Sequence, residues 1–176
     1  MVERLRAKPS GDAVPVAMGD MAALDLSSLP DGDGARFAVV FAAFNTFLNL
    51  VDDGAQAACL AACAARLAPG GRVVIEAVVP DLDGPSSAVE ASAVEVDRVV
   101  LTVSRRGDGA IVDGQHVEIT ERGIRLRPWR IRCSTPTQLD ALAEDAGLVL
   151  VERWSAWDRT PFRVGDVVHI SVYGGR

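Results

Sequence analysis

The sequence lacks an excess of positive charge. Its 176 residues include 18 lysines and arginines against 24 aspartates and glutamates, so the formal net charge is −6. A protein that binds nucleic acid through its phosphates usually presents a clustered basic face, and this balance argues against that class. Aromatic residues are few, but 49% of the residues are hydrophobic, which excludes a disordered chain. The length predicts that residues 1–176 form a single domain with a sizeable core.

Long apolar runs and paired cysteines are also missing. The longest apolar run, Phe37 to Val51, is interrupted by polar residues and is shorter than the ~20 residues of a spanning helix. The amino terminus has no apolar stretch of the kind found in signal peptides. Cys59, Cys63 and Cys133 are an odd number, with no further ligand pair to complete a metal site. We therefore predict buried, reduced thiols, no metal, no membrane contact and a cytoplasmic protein.

Two continuous apolar runs indicate strands. Phe37–Ala42 and Arg72–Val79 are typical of strands that are covered on both faces of a parallel sheet. The helix between them has apolar residues at helical spacing, can be capped by Asp52 and Asp53, and stops at Pro69. This order of elements predicts an α/β fold.

The last part of the chain repeats the helix and strand signals. Thr135 to Gln138 has the form of a capping box and predicts a helix that ends at Gly147. Two apolar runs, Leu148–Trp154 and Val167–Tyr173, predict closing strands.

The middle third of the chain has a different pattern. Val99, Leu101 and Val103 alternate with polar residues, and Val117 and Ile119 do the same. Alternation with period two predicts strands with one face solvated or lining a pocket. We expect residues 95–133 to form an antiparallel β-meander that is inserted into the α/β pattern as a lid.

Three segments carry a family resemblance: Val16–Met21, Phe37–Thr46 and Leu67–Glu76. Together with the closing segments Trp157–Phe162 and His169–Tyr173, they resemble the later motifs of class I S-adenosylmethionine-dependent methyltransferases of the small-molecule type. The resemblance implies a partial Rossmann-like sheet made of the family's strands 3 to 7. It also implies S-adenosylmethionine as cofactor and methyl transfer to oxygen, nitrogen or carbon of a small molecule.

The resemblance further implies which residues bind the cofactor, near its adenine and its methionine moiety. The matching positions are Asp20, Met21, Ala42, Phe44 and Asn45. A carboxylate at the carboxyl end of a strand can accept a hydrogen bond from the adenine amine. The alternatives are that Asp20 caps a turn and that Asn45, with Asn49, caps a helix start.

For the substrate, we predict His116, Trp129 and Arg130 as contact residues. His116 could act as a general base, Trp129 could stack on an aromatic substrate, and Arg130 belongs to a basic set suited to carboxylates or phosphates. The other members of that set are Arg122, Arg125, Arg127 and Arg132. The alternatives are a solvated strand face, packing in the core or lid, and ion pairs with nearby acids. No catalytic residue is predicted, because methyl transfer mainly requires alignment.

The family's glycine-rich D-x-G-x-G turn and the acidic residue after the second strand have no counterpart before Val14. We therefore expect the sequence to begin partway through the fold, with Met1–Lys8 as the helix that follows the family's second strand. In the family's sheet order the strand at Phe37–Ala42 would then lack a neighbour, and an uncovered edge invites pairing. Either the strand at Ala13–Met18 pairs there, or two copies pair or swap strands, or a separate chain supplies the missing part. We expect a homodimer or such a partner chain.

Two functions follow from these observations. The first is an S-adenosylmethionine-dependent methyltransferase that acts on a small molecule. The second is a non-catalytic methyltransferase-like binding or scaffold subunit, or a truncated remnant that cannot bind the cofactor alone, because the glycine-rich turn is absent from the sequence.

Overall fold

The structure is a computed structural model that describes residues 2–176, with Asp33 described by its backbone alone. The helices are α1 (Val2–Arg6), α2 (Ala55–Ala65) and α3 (Pro136–Asp145). The strands are β1 (Phe37–Ala42), β2 (Leu67–Val78), β3 (Ser87–Val94), β4 (Arg98–Arg106), β5 (Ile111–Thr120), β6 (Gly123–Arg132), β7 (Leu148–Trp154) and β8 (Val168–Gly175). Short 3-10 helices cover Gly11–Ala13, Gly32–Gly34 and Thr46–Asn49. Met1, the first residue of the predicted amino-terminal helix, lies outside the described residues.

The first sheet has the order β1-β2-β8-β7. β1 and β2 are parallel, as predicted for these two apolar runs, and β8 is antiparallel to both β2 and β7. Helices α2 and α3 contribute Leu60 and Leu139 to a core that also contains Ile75 and Tyr173. The α/β fold class with a Rossmann-like sheet is therefore confirmed.

Strand β2 begins earlier than predicted, because the Pro69-Gly70-Gly71 segment continues the strand instead of only ending the helix. A Cβ atom on Gly71 would lie 2.9 Å from the carbonyl oxygen of Phe37 on β1. Glycine at this position therefore allows the two parallel strands to approach each other.

The second sheet is the antiparallel meander β3-β4-β5-β6. It extends over Ser87–Arg132 and so includes a strand before residue 95. The inserted meander of the predicted fold class is thus present. Its role as a lid, and the treatment of the whole chain as one domain, remain predictions.

The predicted strand at Ala13–Met18 is wrong. Ala13 ends a 3-10 helix, and Val14–Met18 makes no strand pairing; instead Arg6 Nη1 donates to the Val14 carbonyl at 2.8 Å. Pro15 has no N–H to donate to a sheet, and a strand needs a neighbour to satisfy its backbone. The first sheet therefore holds four of the five expected strands.

One edge of β1 is consequently open among the described residues. Val39 and Phe41 also share one face of this strand and are 55% and 67% exposed, so the prediction that Phe37–Ala42 is covered on both faces is wrong. The partner chain or second copy expected at this edge remains a prediction.

Cys59, Cys63 and Cys133 are buried free thiols, as predicted. Burial raises the pKa of the Cys133 thiol above its ordinary value. At 11 residues, α2 is the longest described helix, and no described helix has the length and apolar character needed to cross a membrane.

Candidate functional site

A strained turn follows β1 at its carboxyl end. Phe44 and Asn45 have φ values of +54° and +59°, in the left-handed region that non-glycine residues seldom adopt. The turn is held by two bonds to β2: the Phe44 amide donates to Glu76 Oε2 at 2.7 Å, and Asn45 Oδ1 accepts from the Val78 amide at 2.8 Å. The Phe44 side chain is 86% exposed. Strained, over-determined turns of this kind cluster at ligand sites.

The side chain of Asn45 is not a helix cap. It precedes the 3-10 helix Thr46–Asn49 but makes no side-chain capping bond there. Asn49 instead donates to the Thr46 carbonyl at 3.1 Å, within the turn. The capping interpretation of Asn45 is therefore wrong, and its side chain joins the turn to the sheet.

Asp20 and Met21 lie in an earlier turn. Asp20 is exposed, and its Oδ1 accepts from the Ala22 amide at 2.8 Å, so the alternative that Asp20 caps a turn is confirmed. Met21 is half-buried and packs against the same core cluster as Ala42. The structure thus brings Met21 and Ala42 to one cluster, while cofactor contact by Asp20 and Met21 remains a prediction.

The meander turns one face toward the first sheet. Val112 and Ile131 pack against the core, and we call the side of the meander that bears them the inner face. Strand alternation puts His116 and Trp129 on this inner face, with ring centroids 6.0 Å apart. Arg130 lies on the opposite side. The structure therefore brings two of the three predicted substrate residues together and separates the third.

Several arginines of β6 form ion pairs, as the alternative interpretation predicted. Arg130 contacts Asp113 at 2.5 Å, Arg127 contacts Glu118 at 3.5 Å, and Arg132 reaches Asp53 at 2.8 Å. The hydrogen bond from Arg130 holds the pKa of Asp113 below its ordinary value. These guanidinium groups are already engaged by carboxylates of the chain itself.

A cavity of about 380 Å³ lies between the inner face and the α/β layer. Its walls come from the segment 80–87 after β2, from Ser104, Arg106 and Val112 of the meander, and from Gln138 of α3. Arg106 Nη1 donates to the carbonyls of Asp81 at 3.0 Å and Leu82 at 2.7 Å, which fixes one wall. Sequence reasoning missed these residues. The proline- and glycine-rich segment after the second apolar strand was the available signal.

Trp129 packs against Gly114, its register partner on the neighbouring strand. A Cβ atom on Gly114 would lie 2.1 Å from an indole carbon of Trp129. We expect Gly114→Ala to displace the indole and lower the free energy of unfolding by about 1–3 kcal/mol, as overpacking does elsewhere. Chemical denaturation followed by tryptophan fluorescence measures this change.

Gly19→Ala is the matched control for that substitution, because nothing lies within 4 Å of a Cβ atom there. We expect it to change stability by less than about 0.5 kcal/mol. Equal stability of the Gly114 and Gly19 variants would contradict the role of Gly114 as a platform for Trp129.

Comparison with known proteins gives a consistent result from structures. No protein-family model matches the sequence, and no curated protein gives a significant match. Among solved structures, the CcbJ methyltransferase from Streptomyces caelestis is 33% identical, with a TM-score of 0.88. The match covers 98% of this chain and 68% of CcbJ.

Two further structures share the fold at lower identity. An S-adenosylmethionine-dependent methyltransferase from Clostridium acetobutylicum is 8% identical, with a TM-score of 0.73 over 90% of this chain and 63% of its own. CalS10 from Micromonospora echinaspora, an amino pentose methyltransferase solved with bound S-adenosylmethionine, is 24% identical, with a TM-score of 0.60 over 88% of this chain and 62% of its own. The chain thus spans about two thirds of the length of these proteins.

Proposed function

Because the chain belongs to the S-adenosylmethionine-dependent methyltransferase family of CcbJ, we propose that it takes part in methyl transfer from S-adenosylmethionine to a small molecule. The observation that carries the proposal is 33% identity to CcbJ over 98% of the chain. The strained turn at Phe44 and Asn45 supports it, since open α/β sheets bind ligands at the carboxyl ends of their strands. In this proposal the cofactor lies at that end of β1.

The residues proposed for the cofactor have the chemistry that such a cofactor needs. The exposed Phe44 ring offers an aromatic face, which attracts cations such as a sulfonium. Asp20 offers a carboxylate to an amine, and Met21 and Ala42 offer apolar surface beside the core. When bound, S-adenosylmethionine supplies the electrophilic methyl group. The chain's own contribution is to bind, to orient and to exclude water.

The cavity is the proposed site of the methyl acceptor. Its volume of about 380 Å³ falls in the range of small-molecule sites, and Ser104 and Gln138 on its walls can make hydrogen bonds. His116 and Trp129 share the inner face, and we assign them to a part of the acceptor that extends beyond the cavity. His116 Nδ1 lies 3.2 Å from Thr102 Oγ1, which leaves Nε2 to take a proton from the acceptor. Arg130 is not part of this proposal, since it lies on the opposite side.

The turn at Asn45 provides the test of cofactor binding. We expect Asn45→Ala to weaken S-adenosylmethionine binding by about tenfold, because the amide of Val78 loses its acceptor and the strained turn is released. Calorimetric titration of S-adenosylmethionine into the purified chain measures this. Asn49→Ala, on the same turn but bonded only within it, is the matched control and is expected to bind normally. Equal losses in both variants would contradict the assigned role of Asn45.

A second function is favoured by the open edge of β1. A non-catalytic binding or scaffold subunit would use the exposed Val39 and Phe41 to pair with another chain. No binding of millimolar S-adenosylmethionine by the folded chain would support this second function over methyl transfer. Binding together with methylation of an added acceptor would support the first.

A further inference from the structure

The meander presents an apolar face to solvent on the side away from the core. Because Val112 and Ile131 point toward the first sheet, the alternate positions of β3–β6 point away from it. We call this side of the meander the outer face. Its aliphatic side chains include Val89, Val94, Leu101, Ile119, Ile124 and Leu126. Val94 is 74% exposed and Ile124 is 69% exposed, while Leu101 on the inner strand β4 is half-buried among its neighbours in the sheet. The outer strands of this face are therefore open to solvent among the described residues.

The polarity of this sheet is the reverse of that expected for a solvated face. Where the inner face extends beyond the core it carries the polar Thr102, His116 and Glu118 around the buried Val100, whereas the outer face is mostly aliphatic away from its charged end. An antiparallel sheet with one face in water normally places its polar residues on that face. Monomeric proteins seldom leave a contiguous aliphatic patch of several hundred Å² exposed. The outer face is therefore built to be covered.

We propose that a second copy of the chain covers the outer face, so that two meanders pack face to face about a twofold axis. The four strands have 8, 9, 10 and 10 residues. They span roughly 19 Å by 30 Å, close to 600 Å² of plane before the relief of the side chains is added. Stable interfaces bury about 800 Å² on each partner, so the outer face is of the size that a stable dimer needs.

The charges on the outer face fit an identical partner. Of the described strand residues on this side, Asp113 is the one carboxylate, and its contact with Arg130 neutralises it. Arg105 and Arg132 share this side, and all four charged residues lie at the end of the face near Ile111. Because the single carboxylate is paired, a twofold contact brings no unpaired acidic groups together. This holds although the chain as a whole carries a charge of −6. An aliphatic centre with charges at its rim is the composition of homodimer interfaces.

Size-exclusion chromatography with light scattering on the whole chain tests the proposal. At micromolar concentration the wild type is expected at twice the chain mass of 18.6 kDa. Val89→Lys/Leu126→Lys, which places like charges on the two outer strands of the face, is expected at the monomer mass. The matched control is Val39→Lys/Phe41→Lys, which puts the same charges on the exposed edge of β1 and is expected to remain dimeric.

A milder variant tests the same face with less risk of unfolding the chain. Ile124→Thr/Leu126→Thr leaves a residue of high strand propensity at both positions, and we expect it to raise the dimer dissociation constant more than tenfold while circular dichroism stays unchanged. A monomeric wild type overturns the proposal. If that monomer binds phosphatidylcholine vesicles, the outer face is a lipid-binding surface instead. The proposal is also overturned if the β1-edge variant is monomeric while the outer-face variants remain dimeric. Neither result depends on whether the chain transfers methyl groups.

Discussion

Replacing Asp140 with alanine is expected to lower the free energy of unfolding by about 2–3 kcal/mol. Asp140 on α3 accepts hydrogen bonds from Arg153 on β7 and from the Tyr173 hydroxyl on β8, the latter at 2.8 Å. The Arg153 side chain is only 14% exposed, so removal of its partner leaves a cation with little access to water. Such uncompensated charges cost far more than a surface pair contributes. Urea denaturation at pH 7 measures the change.

The same helix supplies a matched control one turn later. Glu144 contacts Arg176 at 2.6 Å, but both side chains are more than half exposed. Glu144→Ala should therefore cost less than about 0.5 kcal/mol. The double variant Asp140→Ala/Arg153→Met should regain part of the loss, since it removes the unpaired charge. Equal costs for the Asp140 and Glu144 variants would contradict the assigned importance of burial.

Local signals in the sequence predicted the elements whose causes are local. The helix α3 begins at a capping box, in which Thr135 Oγ1 accepts from the Gln138 amide at 3.2 Å and the Gln138 side chain accepts from the Thr135 amide at 2.9 Å. Four residues fix this start, and all four are adjacent in sequence. The prediction of a strand at Ala13–Met18 is wrong, because strand pairing depends on a neighbouring strand from elsewhere in the chain.

The predicted capping of α2 by Asp52 or Asp53 is wrong for a similar reason. Gly54 occupies the N-cap without a side-chain bond, although Asp52 and Asp53 are the residue types that usually cap helices. Asp53 instead pairs with Arg132, which is 79 residues away. A competing partner on the meander cannot be found from the four residues around a helix start.

In the candidate site, too, the sequence predicted local features but not contacts between distant segments. Resemblance indicated Phe44 and Asn45, but neither composition nor spacing indicated that Asn45 would bond Val78 on the next strand. The cavity was missed because its walls come from three separated parts of the chain, represented by Asp81, Ser104 and Gln138. Each of these residues is unremarkable in its own segment, and only the docking of the meander on the α/β layer brings them together.

Stability is expected to fall by about 1.6 kcal/mol as the pH drops from 6.5 to 5, because of His169. This side chain is fully buried on β8; its Nδ1 lies 2.8 Å from Ser171 Oγ, and its Nε2 has no partner among the described residues. Burial, followed by the charge of Arg153, lowers the pKa of His169 to about 4 from an ordinary value of 6.5. At pH values between 4 and 6.5, His169 binds a proton in the unfolded chain but stays neutral in the folded chain. The stabilisation is therefore complete above pH 6.5 and is lost as the pH falls toward 4.

The slope of stability against pH isolates this histidine from the rest of the molecule. His169→Asn removes the titrating group and should flatten the curve between pH 5 and 6.5, whatever its effect on stability at pH 7. Four carboxylates have pKa values below their ordinary ones and so do not contribute to the slope within this window: Asp25, Asp113, Glu118 and Asp158. A His169→Asn variant with the wild-type slope would show that the buried imidazole takes up its proton in the folded state, against the desolvation that its burial imposes.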